Sequence, residues 1–131
     1  MQLVEGHSTD TIKGGPAFAQ LMEIHETLLE RRGMLVHCTS LLPNMLKDMG
    51  FVGIESIKKY APVGKIEGQL GQTGAEMMDS VFEKTLPALL ESGIITSVDE
   101  YNELLKAFRR ESEGPELSFV AYWMFCARKP N

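Results

Sequence analysis

Helically spaced apolar residues alternate along this chain with short, densely apolar runs, a pattern that predicts an α/β fold. Gln2 to Glu5 is a short apolar run stopped by Gly6 and reads as a strand. Ser8 to Gly15 is polar and glycine-rich, the composition of a loop. Pro16 suits the first turn of a helix, and Phe18, Leu21, Met22, His25, Leu28 and Leu29 then recur on one helical face. Arg31, Arg32 and Gly33 supply a basic last turn and a glycine stop. The next helix takes Thr39 or Ser40 as its cap and tolerates Pro43 in its first turn. Its predicted apolar face is Leu42, Met45, Leu46 and Met49, ended by Gly50. Phe51 to Tyr60 follows as a strand, closed by Pro62 and Gly64.

Gly64, Gly68, Gly71 and Gly74 then read as a flexible loop. A helix is predicted from about Gly74 to Glu91, with Met77, Met78, Val81, Phe82 and Leu86 inward and Pro87 kinking or ending it. Ser97 and Glu100 have the spacing of a capping box, so a further helix starts there, with Tyr101, Leu104, Leu105 and Phe108 on one face. Glu113-Gly114-Pro115 breaks it. Leu117 to Ala127 is the strongest strand. Phe119, Ala121, Trp123 and Phe125 point to one side, and Val120, Tyr122, Met124 and Cys126 to the other. A strand apolar on both faces belongs in the middle of a sheet.

Composition narrows the function classes. The 131 residues make one domain, 1–131, and 44% hydrophobic residues argue against disorder. A net charge of -5 disfavours nucleic acid, because phosphate contacts need clustered Lys and Arg. Lys58-Lys59 and Arg109-Arg110 are too small for that and read as solvated surface. No run approaches the about 20 apolar residues of a membrane span, and the first residues lack the basic start and apolar stretch of a signal peptide. The expectation is a cytoplasmic protein with no membrane partner. Cys38 and Cys126 do not suggest a disulfide scaffold.

Candidate chemistry is sparse. The glycines between Gly64 and Gly74 lack the spacing of a phosphate-binding loop. His7, His25, His37 and Cys38 include no metal-ligand spacing, so no metal is expected. His37 and Cys38 are chain neighbours, and adjacent side chains rarely face each other as an activated thiol pair requires. His7 stands just past the carboxyl end of the first strand with Glu5 in the same turn, where open α/β sheets place ligands. It is the first candidate acid-base group, against an ordinary loop histidine. His25 lies on an apolar helix face and reads as a hydrogen-bonded core histidine or as an assisting group. The methionines, Met77-Met78 among them, are core filler or the lining of an adaptable apolar pocket.

The order of these segments carries a resemblance. The strand QLVEG at Gln2 to Gly6, a helix ending in Gly50-Phe51, the Pro62 to Gly64 stretch and a last strand running from Tyr122 to Arg-Lys-Pro at Pro130 follow one another in fixed order. This resembles the carboxy-terminal part of a class I S-adenosylmethionine-dependent methyltransferase, most of all the fungal secondary-metabolism branch. The resemblance implies a truncated Rossmann-like fold: a small mixed sheet of three strands, the last one central and antiparallel, with about four helices. A helical pair is inserted at about 71–112. That family's donor site, a glycine-rich turn after its first strand and an acidic residue ending its second, has no counterpart here. No cofactor is therefore expected, and no methyltransferase activity from this chain alone.

The resemblance further implies that Glu5, His7 and the inserted helices near Met77, Met78 and Phe82 border a substrate cavity. The expected function is a cofactor-independent tailoring enzyme of natural-product biosynthesis, a cyclase, isomerase or dehydratase. His7 would be the acid-base group, with His25 or Glu5 assisting. Met22, Met77, Met78, Phe82, Tyr122 and Trp123 would contact a polyketide- or terpenoid-like substrate. The alternative is a subunit or piece of a methyltransferase that supplies the substrate-binding half. With the family's fourth strand absent, Gln2 to Glu5 is expected to be an exposed edge that pairs in a homodimer or with a partner chain bearing the missing half.

Overall fold

A computed structural model describes residues 2–5, 12–34, 38–115 and 118–130, and of residues 2–5, 12 and 13 it describes the main chain only. The fold is mixed α/β. Its elements are β1 (Gln2–Glu5), β2 (Ile12–Lys13), α1 (Pro16–Arg31), α2 (Cys38–Asp48), β3 (Val52–Pro62), α3 (Gly68–Glu91), α4 (Val98–Glu113) and β4 (Phe119–Arg128). A 3-10 turn, Lys65–Glu67, joins β3 to α3.

Among the described residues every pairing in the sheet runs through β4. It pairs antiparallel with β3 from Pro62↔Phe119 to Val52↔Arg128, with a register irregularity between Val52 and Glu55. Along its other edge it pairs antiparallel with β1, from Gln2↔Cys126 to Glu5↔Trp123, and then with β2 at Ile12↔Val120 and Lys13↔Phe119. Residues directly opposite share a face. Lys58, Tyr60 and Pro62 therefore lie on the side of Trp123, Ala121 and Phe119, and Ile57, Lys59 and Ala61 on the side of Met124, Tyr122 and Val120.

Two apolar clusters flank this strand. The larger joins α1, α3 and α4, with Phe18, Leu21, Phe82, Leu89 and Phe108 at its centre and Val120 packed against it. Phe18, Phe82 and Phe108 form a ring triad, with centroids 5.4 Å apart for Phe18–Phe108 and 5.3 Å for Phe82–Phe108. Such offset and edge-on ring pairs add to what burial alone contributes. The smaller cluster sets Leu46 of α2 on Phe125 and Ala127, on the opposite face. Both faces of β4 are thus covered in part, as its two-sided apolar pattern requires.

Several sequence expectations change. The sheet has four strands among the described residues, not three, because Ile12–Lys13 forms a short strand inside the stretch read as a loop. Two residues carry no periodicity; their pairing is set by the length of β4. Gly68, Gly71 and Gly74 are helical, since α3 starts at Gly68 and continues through Pro87 to Glu91. Gly71 and Gly74 serve close approach. A Cβ on Gly71 would collide with the carbonyl oxygen of Gly64, and one on Gly74 with the carbonyl oxygen of Pro62. Met77 and Val81 are exposed instead of inward, while Phe82 is buried and Met78 partly so. On α2, Leu46 is buried and Met45 and Met49 are exposed. Only a narrow stripe of that helix meets the sheet, and Met49 lies past its last turn. The Ser97 cap stands as read: its hydroxyl accepts from the Glu100 N–H at 3.2 Å and α4 begins at Val98.

Candidate functional site

A groove opens between α1 and α4. The helices are held there by the aromatic triad below them, and the Ile94–Ser97 link closes one end. Its cavity volume is about 580 Å3. Ile24, Ile94, Ile95 and Leu104 make an apolar floor, and Glu100 and Glu103 stand on the rim. Glu103 also pairs with Lys106 one helical turn on, at 3.1 Å. A second, smaller groove of about 270 Å3 lies between α3 and α4. Its charges satisfy one another: Arg109 binds Asp79 through two nitrogens at 2.8 and 3.2 Å and Glu83 at 2.6 Å, and Lys65 reaches Glu113 at 3.4 Å.

Beneath the first groove runs a buried chain of polar side chains. His25 Nδ1 lies 2.7 Å from the carbonyl oxygen of Leu21, which can only accept, so Nδ1 carries a proton. Nε2 pairs with the Thr85 hydroxyl. Tyr101 lines the groove with its ring but turns its hydroxyl inward, donating to the Phe82 carbonyl at 2.7 Å. The His25 ring tilts against Phe82 at 4.9 Å. Both nitrogens of His25 are therefore engaged inside the helical core, the arrangement of a core histidine that orients α1 against α3.

Burial pushes the Tyr101 hydroxyl above its ordinary pKa, with a hydrogen bond from Thr85 opposing. The folded state then holds this proton more tightly than the unfolded chain. Its contribution to stability is present below about pH 10 and is lost as pH rises through the folded value. Tyr101→Phe should cost about 1 kcal/mol at neutral pH, from the lost hydrogen bond. It should also flatten the alkaline fall in stability, read from urea unfolding at pH 8 and above pH 10. An unchanged alkaline limb would contradict this.

The sequence candidates divide three ways. Met22, His25 and Phe82 are brought together in the larger core, with Met78 packed at its edge. Met77 is 65% exposed, and Tyr122 and Trp123 occupy opposite faces of β4, so those two cannot line one pocket together. His7 lies outside the described residues, and Glu5 is fixed only as a main-chain position opposite Trp123. Thr85 and Tyr101 were not among the candidates. Nothing local marks Thr85, whose link to His25 spans 60 residues. Among the described residues no three His, Cys, Asp or Glu side chains group to hold a metal ion, and Cys38 and Cys126 form no disulfide. No helix among them is long and apolar enough to cross a membrane. No family model matches the chain, nor does any curated protein or solved structure.

Proposed function

We propose that this chain supplies the substrate-side half of a class I methyltransferase-type fold, of the kind used in fungal secondary metabolism. The donor-binding half comes from residues outside this sequence, in the same or another polypeptide. One observation carries the reading: β4 lies between β1 and β3, antiparallel to both, with the α3–α4 pair inserted before it in sequence. In that family the last strand sits between the two before it in the same sense. The outer edge of β1 carries no strand among the described residues and is where the donor-binding half, or a second copy, would add. On this reading the apolar floor of the α1–α4 groove faces a small organic substrate.

Titration calorimetry with S-adenosylmethionine tests the reading. The chain alone gives no saturable heat, and a mixture with a chain bearing the donor-binding half does. Saturable binding by this chain alone would overturn it. The groove also favours a second reading, a cofactor-independent cyclase or isomerase, since a shaped apolar site catalyses by positioning and proton transfer; its expected acid-base group, His7, lies outside the described residues.

A further inference from the structure

We propose that β3 is a dimerisation strand, its outer edge pairing antiparallel with β3 of a second copy about a two-fold axis through Ile57. β3 meets β4 along one edge, and among the described residues no strand lies along the other. An open edge presents unpaired N–H and C=O groups to any strand that fits. This one is eleven residues long, and the six from Glu55 to Tyr60 are all exposed. Side chains alternate between the two faces of a strand, so six exposed in a row leave neither face of this stretch buried. The stretch has clear limits. A register irregularity between Val52 and Glu55 ends it on one side, and α3 comes against the Pro62 carbonyl at Gly74 on the other.

The order of charges selects the occupant. Opposite residues of an antiparallel pair share a face, so two identical strands can pair only about an axis centred on a residue. Centred on Ile57, Glu55 of each copy faces Lys59 of the other, Ile57 faces its twin, Ser56 faces Lys58 and Ile54 faces Tyr60. Opposite charges directly across a ladder stabilise it, and like charges destabilise it. Centring on Glu55, Lys58 or Lys59 would set that residue against its own twin. Centring on Ser56 would set Glu55 against Ile57 and Lys58 against Ile54. Among the described residues Glu55 and Lys59 make no ion pair within the chain. The two Lys58 groups become diagonal neighbours on the other face, where each lies over the Tyr60 and Trp123 rings of its own chain at 5.4 and 5.5 Å. The paired lysines thus repel an arbitrary strand, and Glu55 turns that repulsion into a preference for self. The dimer joins two four-stranded sheets into one and leaves the outer edge of β1 open, so it stands apart from the methyltransferase-like reading.

Sedimentation velocity of the whole chain over a concentration series reads the association. Wild type should show a monomer–dimer equilibrium. Glu55→Lys and Lys59→Glu each set two like-charge pairs across the seam, and each should weaken the dimer at least about tenfold. Both positions are exposed, and circular dichroism melts establish that each variant is folded. An equimolar mixture of the two variants should dimerise as wild type does, because every lysine at the seam then faces a glutamate of the other chain. Replacing Lys59→Glu by Lys58→Glu in that mixture keeps the net charges but not the facing pairs, and should not restore the dimer. A wild type that stays monomeric up to about 1 mM would leave this edge to another protein's strand or to solvent and overturn the proposal. A dimer that survives the single reversals would place the seam elsewhere, on β1 for instance, and also overturn it. A mixture that fails to dimerise, or a control mixture that does, would overturn the Ile57 register.

Discussion

Gly74→Ala should destabilise the protein by about 2 kcal/mol or more, although helix propensity alone favours alanine over glycine by about 1 kcal/mol. The sign is decided by a contact. Gly74 lies inside α3, but its missing Cβ faces the carbonyl oxygen of Pro62 at the end of β3, with the carbonyl carbon 3.3 Å away. Backbone cannot swing aside as a side-chain tip can, so the helix must lift from the strand. Gly71→Ala should be worse, because its Cβ would meet both the Gly64 carbonyl oxygen and Glu67 Cβ, the latter at 2.6 Å. The Gly64 N–H also donates to the Gly71 carbonyl at 2.9 Å, which ties the turn to the helix at the point of collision. For a domain of this size the expected drop in melting temperature is about 5–10 °C for Gly74→Ala. Gln72→Ala, which meets no such contact, is the control. If Gly74→Ala raised the melting temperature, propensity would have won and the close approach would be wrong.

Glu111→Ala is the second large effect, at about 2–4 kcal/mol. The N-cap of α1 is Gly15, which offers no side-chain acceptor for the free N–H groups of the first turn. The acceptor arrives instead from α4: Glu111 takes the N–H of Ala17 at 2.7 Å and of Phe18 at 3.0 Å, one with each carboxylate oxygen. Ala17 and Phe18 are 5% and 1% exposed, so water cannot readily replace the lost bonds. A negative charge at this end of the helix is also favoured by the helix dipole. Glu111→Gln keeps one acceptor oxygen and should lose roughly half as much. Gly15→Ala should fail for the same reason from the other side, since its Cβ would run into the carboxylate. Denaturant unfolding reads all three. A Glu111→Ala midpoint equal to wild type would remove this carboxylate from the account of α1.

These residues show where the sequence is readable and where it is not. The face of α1, the Ser97 cap of α4 and the two-sided pattern of β4 are local or periodic signals, and each element stands where its signal placed it. Gly71 and Gly74 misled because glycine spacing alone cannot separate a flexible loop from a helix that must lie close to another backbone. Met45, Met77 and Val81 misled because a helix with apolar residues on more than one side does not announce which side the fold uses. His25 was read from its apolar face either as a core histidine or as an assisting group. Its partner Thr85, 60 residues away, is what engages the second ring nitrogen. Glu111 sits in a charged stretch of α4 that looks like solvated surface, and its tie to Ala17 spans 94 residues.

The strand order has a further consequence in time. Among the described residues every other strand pairs with β4, and β1 and β4 lie near opposite ends of the chain. During synthesis α1, α3 and α4 can gather on their ring triad as they emerge, but β3 has no mate among the described residues until Phe119 to Arg128 leaves the ribosome. Closing a loop of that length is slow compared with helix pairing. The eleven residues of β3, with Ile57 and Tyr60 exposed, must wait unpaired in the meantime. The two lysines at its centre, Lys58 and Lys59, then guard a nascent strand against neighbouring chains, a task that ends only when β4 arrives.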